Sequence, residues 1–193
     1  EPEGLDVEGL LKGMYVLEAA EQGDGPEVQL MASGVGVPWA RHARELLAED
    51  WGVRASVWSV TSWTEMRKEA LEAEKHNLLN PEDERTPWIT QRLEGVEGPF
   101  VASSDFDFLV PDMIREWIPG QYGVLGADGW GFSDTRPAAR RYLKIDAHSM
   151  VVKALQLLAR EGKVDASTVR KAIDKYDLGN VNAGESGSFG GES

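Results

Sequence analysis

Between Val28 and Val60 the hydrophobic period of the chain changes twice, and that order leaves few architectures open. Val28-Gln29-Leu30-Met31-Ala32 is a short apolar strand, followed by the glycine-rich turn Ser33-Gly34-Val35-Gly36. A helix opens near Pro38, a residue favoured in a first helical turn, and its apolar positions Trp39, Ala43, Leu46 and Leu47 share one face. Trp51-Gly52 closes it, and Val53 to Val60, rich in Val and Trp, reads as a buried strand. Strand, helix, strand is the crossover unit of a parallel sheet. The expectation is a single three-layer α/β domain.

The rest of the chain fills in around that unit. Residues 1–12 read as an acidic linker or a truncated end, and Gly13 to Glu18 as a strand. Glu21 to Pro26 is a turn cluster. Thr61 to Asn77 is helical, with Trp63, Met66, Ala70 and Ala73 as its stripe, and Asn80 to Pro87 is a charged loop. Pro99 to Ala102 reads as a short strand. Ser103-Ser104-Asp105 offers cap chemistry for a helix reaching Trp117, irregular at Pro111. Tyr122 to Leu125 is another strand, Gly126 to Arg136 a loop dense in Gly and Asp, and two helices finish the fold at 147–160 and 166–176. The domain therefore spans 13–178, and residues 179–193 form a Gly/Ser tail too polar to order itself.

Charge narrows the partners. Asp and Glu number 33 against 20 Lys and Arg, a net charge of −13, which repels nucleic acid and anionic membranes and favours a basic protein partner. There is no cysteine, so disulfides, thiolate metal sites and thiol nucleophiles are excluded. The longest apolar runs fall short of a membrane span, and the first residues lack the positive charge and apolar stretch of a signal peptide. These features read as a soluble, acidic, cytoplasmic chain.

The residues show no complete active site. Gly34-Val35-Gly36 opens like a dinucleotide fingerprint, but Trp39 stands where the third glycine belongs. The helix start could still hold a small anion, which keeps an independent binding module as an alternative. Gly23-Asp24-Gly25 is similar to the opening of thiamine diphosphate sites but lacks the later asparagine, and reads as a hairpin turn. His42, His76 and His148 do not combine with one another or with acids into a zinc-binding arrangement, so a metal site has no local support. Asp105 and Asp107 suit a helix's first turn better than a cation. No G-x-S-x-G elbow marks Ser33, Ser62 or Ser104 as a nucleophile, and the seven tryptophans read as packing groups.

One loop is more specific. Leu125-Gly126-Ala127-Asp128-Gly129-Trp130-Gly131-Phe132-Ser133-Asp134 resembles a turn in the C-terminal domain of the homodimeric pyruvate dehydrogenase decarboxylating component, within the transketolase superfamily. Gly13-Met14-Tyr15, Gln29 to Gly34, Val57 to Glu65, Pro87-Trp88-Ile89, Ala102 to Asp105 and Tyr142 to Ile145 resemble the same domain in order, covering about Leu10 to Leu178. The resemblance implies a mostly parallel five-stranded sheet with an antiparallel edge strand, transketolase C-terminal domain-like. It implies thiamine diphosphate and magnesium bound by other domains of a full-length enzyme, with no catalytic, cofactor or metal residue in this portion. Another two-oxoacid dehydrogenase or transketolase relative is the nearest variant. The partners it implies are the N-terminal and pyrimidine domains, a homodimer mate, and the acyltransferase component. Gly126, Asp128, Gly129, Gly131 and Ser133 are then expected to form a structural turn, the glycines in backbone conformations closed to other residues and the two polar side chains bonding loop amides. Trp39, Trp63, Trp88 and Trp130, at the edges of elements, are the expected interface residues.

Overall fold

The computed structural model describes residues 4–129 and 133–180. Five strands, β1 (Met14–Glu18), β2 (Glu27–Ala32), β3 (Arg54–Val60), β4 (Phe100–Asp107) and β5 (Tyr122–Ala127), form one sheet in the order β1-β3-β2-β4-β5. All neighbours are parallel except β1, which runs antiparallel along the edge with Met14 opposite Val60. The Gly23-Asp24-Gly25 turn is therefore no hairpin: it carries the chain from β1 past β3 into β2, because β3 takes the place between them.

Alternation along the strands divides the core in two. Val28, Leu30 and Ala32 of β2, Ala55 and Val57 of β3, and Val101 of β4 meet α2 (Gly36–Trp51) and α7 (Ala147–Arg160), with α8 (Ala166–Lys175) beyond them. Met31, Trp58, Val60, Phe100, Ala102 and Tyr122 point the other way, onto α3 (Trp63–Leu79), α4 (Trp88–Arg92), α5 (Leu109–Asp112) and the 3₁₀ turn Arg115–Trp117. A sheet covered on both sides explains why β2 and β3 read as nearly unbroken apolar runs. Gln29 is the polar exception, 1% exposed. It accepts a hydrogen bond from Trp58 Nε1 at 2.8 Å and donates to the Glu97 carbonyl at 2.8 Å, so its burial leaves nothing unpaired.

Four stretches differ from the sequence expectation. Val7–Lys12 is a helix, α1, whose Asp6 cap accepts from Gly9 N at 2.8 Å and pairs with Arg92. Thr61 Oγ1 also donates to the Leu10 carbonyl at 2.7 Å, so this segment is held against the domain. The helix expected over 103–117 is mostly strand: β4 continues past Ser103 to pair Asp107 with Ala127 across a register shift. Capping chemistry is present but moved, Ser104 Oγ accepting from Phe106 N and Asp107 Oδ1 from Leu109 N, which starts the single-turn α5. Two further helices, α4 and α6 (Arg136–Leu143), lie where the sequence showed no periodicity. Both are one or two turns long, too short to display a repeat, and tertiary bonds fix them. No helix among the described residues is long and apolar enough to cross a membrane.

Candidate functional site

The glycine loop leaves the carboxyl end of β5. Gly126 is closed to larger residues by proximity: a Cβ there would lie 2.4 Å from Phe108 Cα. Gly129 is closed by conformation, with φ +95° and open space around it. The restrictive backbone conformation expected at Gly126 is absent, since its φ is not positive, and the crowding there comes from Phe108 instead. Asp128 is exposed on a cleft shared with Phe108, Val124, Leu125, Tyr142, Leu143 and Lys144. Asp134 makes a local turn bond, accepting from Thr135 N at 2.7 Å, while Ser133 is exposed. Trp130 and Gly131 lie outside the described residues.

At the start of α2 the anion-binding alternative loses its donors. Gly36 N donates to the Ser33 carbonyl at 2.9 Å and Val37 N to the Gly34 carbonyl at 3.2 Å, while Pro38 has no N–H to give. Ser33 and Ser104 bond to each other at 3.3 Å. In the Gly23-Asp24-Gly25 turn the Gly25 carbonyl accepts from Arg54 Nε at 3.0 Å, and Arg54 Nη1 pairs with Glu27 at 2.9 Å. Among the described residues, no three His, Asp or Glu side chains are grouped to share a metal ion.

The sequence reading missed the most concentrated polar cluster. Arg141, 2% exposed, pairs through Nε with Asp146 at 2.6 Å, donates to the Tyr176 carbonyl at 2.7 Å and to His148 Nδ1 at 2.7 Å. An arginine only donates, so the neutral His148 ring carries its proton on Nε2. That ring stacks on Tyr176 with centroids 4.3 Å apart, and the Tyr176 hydroxyl donates to Asp50 at 2.7 Å while accepting from Trp51 Nε1 at 2.8 Å. Lys175 closes the chain on Asp50 at 2.6 Å. Bonds from Lys175 and Tyr176 hold the Asp50 carboxyl below its ordinary range, and burial pushes the Tyr176 hydroxyl up, away from ionisation. A tyrosine moved away from ionisation is a poor nucleophile or base. The cluster's chemistry is that of a strut tying α6, α7 and α8 to the end of α2. One signal was visible in the sequence: Asp146 precedes a clear amphipathic helix and caps it, accepting from Ser149 N at 2.8 Å.

The tryptophan expectation needs correcting. Trp39 and Trp63 are only 6% and 4% exposed and belong to the two cores, Trp39 beneath the Arg140 guanidinium at 4.9 Å. Their position at helix starts brought them onto the sheet because both begin an apolar stripe. Trp88 is half-buried at the start of α4.

Residues 13–146 match the family described as transketolase-like TK C-terminal domain. The chain belongs to that family. This transketolase-like C-terminal domain is 50% identical, over 95% of its length, to the pyruvate dehydrogenase E1 component of Mycolicibacterium smegmatis. It is 51% identical over 92% of its length to the protein of that name from Corynebacterium glutamicum. The domain spans about a fifth of either relative, 20% and 19% respectively. Transketolase from Leishmania mexicana superposes with a TM-score of 0.52 over 82% of the domain and 20% of that chain at 19% identity, which shows the shared fold.

Proposed function

We propose that this chain is the C-terminal portion of a thiamine-diphosphate-dependent, acetyl-transferring pyruvate dehydrogenase component, supporting its dimer and domain assembly while other regions carry the chemistry. The observation that carries this reading is the identity of 50% and 51% to pyruvate dehydrogenase E1 components over nearly the whole chain, against 19% to a transketolase. A supporting role is favoured by the polar cluster around Arg141, whose groups pair with one another, and by the start of α2, whose first N–H groups bond within their own turn. The cofactor, its magnesium and the substrate groups belong to the remainder of the enzyme, and no step is assigned to this portion.

The test is to produce the full-length reading frame containing this sequence and to assay pyruvate-dependent acetyl transfer with thiamine diphosphate and magnesium. Turnover by the full chain, together with no calorimetric heat when cofactor and magnesium are titrated into residues 1–193 alone, is the expected pair of results. Saturable micromolar heat from this portion alone overturns the supporting role, and a full chain without pyruvate turnover overturns the assignment.

A further inference from the structure

The carboxyl end of β4, the turn after it and helix α6 carry large apolar side chains in solvent. Phe106 and Leu109 are each 60% exposed, Tyr142 53% and Phe108 36%. Phe108 and Tyr142 line the same cleft, with Val124, Leu125 and Leu143 between them. The backbone that presents them is fixed. Phe108 N donates to the Ala127 carbonyl at 3.0 Å, Leu109 N to Asp107 Oδ1 at 2.8 Å, and Phe106 N to Ser104 Oγ at 3.1 Å. The Phe108 backbone lies directly against Gly126, and Tyr122 anchors the following turn through the Pro111 carbonyl at 2.6 Å. Aromatic side chains held outward on bonded backbone are the composition of an interface core. Asp105 and Asp107, exposed, flank Phe106 in the chain, and exposed Asp128 lines the cleft together with Lys144, so acidic groups predominate at its edge.

We infer that this face, Phe106, Phe108, Leu109 and Tyr142, docks onto the rest of the same longer polypeptide, on an apolar surface rimmed by Lys or Arg. The inference rests on the function proposed above, and the fold argues for the occupant. The relatives are about five times as long as this chain, which spans 20% of one of them. Because β1 is antiparallel, residues 4–13 reach the sheet where β3 ends, with Met14 opposite Val60. That is the same end of the sheet at which β4 finishes with Asp107. Gly13 and Met14 therefore enter the sheet at the end where the patch lies, while Asp6 before them is held at Arg92 on the α4 side.

Hydroxyl-radical footprinting of the full-length enzyme, read residue by residue by mass spectrometry, tests the docking face. Phe106, Leu109 and Tyr142 are expected to react several-fold more slowly than in the unfolded chain, as slowly as the core residues Phe100 and Leu155. Reactivity near the unfolded level in a sample that turns over pyruvate overturns the docking face and leaves the function standing. Protection in a full chain without turnover supports the face and overturns the function. Residues 1–193 alone separate the occupants. Protection that appears in them as their concentration rises assigns the face to a second copy and overturns this proposal, and reactivity that stays high at every concentration supports it.

Discussion

The two faces of the sheet are held by different means. Three regular helices, α2, α7 and α8, cover one face, and a relay of charged and aromatic groups from Asp146 through Arg141, His148 and Tyr176 to Asp50 locks them together. The other face has one long helix, α3, and then a series of short turns hooked by separate bonds. Glu69 accepts from Trp88 N at 2.8 Å, Thr90 donates to the Trp117 carbonyl at 2.8 Å, and Tyr122 donates to the Pro111 carbonyl at 2.6 Å. A relay concentrates its consequences in one residue, whereas separate hooks distribute them.

That contrast is sharpest at Arg141. Arg141→Ala leaves Asp146 charged and buried, and breaking a buried pair in this way costs about 3–5 kcal/mol, enough to lower the melting temperature by about 10 °C. Urea denaturation followed by circular dichroism measures it. A loss no greater than that of a single hook would show that the relay is not concentrated at Arg141.

Gly126→Val comes next in size. It drives a side chain into the Phe108 backbone, at a cost of about 1–3 kcal/mol, and splays the ends of β4 and β5. Gly129→Val, strained by its φ of +95° with no neighbour to strike, costs about 1–2 kcal/mol. The same denaturation series ranks the two. If both variants melt like the parent, the loop is free and its glycines are not structural.

Single hydroxyls compare the faces most directly. Tyr176→Phe removes the link between Asp50 and Trp51, and Tyr122→Phe removes the hook on Pro111; each costs about 1 kcal/mol. Coupling separates them. A double-mutant cycle of Tyr176→Phe with His148→Ala is expected to depart from additivity by more than about 0.5 kcal/mol, and Tyr122→Phe with Thr90→Ala to be additive.

The smallest effect is on pH. Folding lowers the Asp50 pKa through its bonds to Lys175 and Tyr176, so its stabilisation is present above the unfolded value near 3.8 and is lost as pH falls through the lower folded value. Asp50→Asn is expected to be less stable than the parent at pH 6, with the gap closing below about pH 4. A constant gap across that window would place the worth of Asp50 in packing.

The same contrast explains what could be read in advance. Helices α2, α3, α7 and α8 repeat their apolar residues over at least two turns, and α2 with its two strands already implied the parallel sheet. Segments fixed by distant partners carry no local repeat: nothing near Ser103 announces that Asp107 will pair with Ala127, and nothing near Arg141 that Tyr176 will lie under it. The glycine loop was legible as a motif, yet only the fold separates the close approach at Gly126 from the left-handed backbone at Gly129. Trp39 and Trp63 misled because a residue at the end of an element in sequence can still sit at the centre of a packed face.

The strand order also sets a timetable. β1 is made first, but its only partner in the sheet is β3, so Met14 waits until Val60 has been synthesised before its ladder can close. At about 5–20 residues per second that is a delay of several seconds on the ribosome, during which the apolar face of β1 has no strand beside it. β2 then waits longer for its second neighbour, since Leu30 pairs with Val101. Each ladder joins strands distant in the chain, a topology of high contact order that folds slowly. Met14 to Ala32 is therefore the part of the sheet that waits longest for its partners.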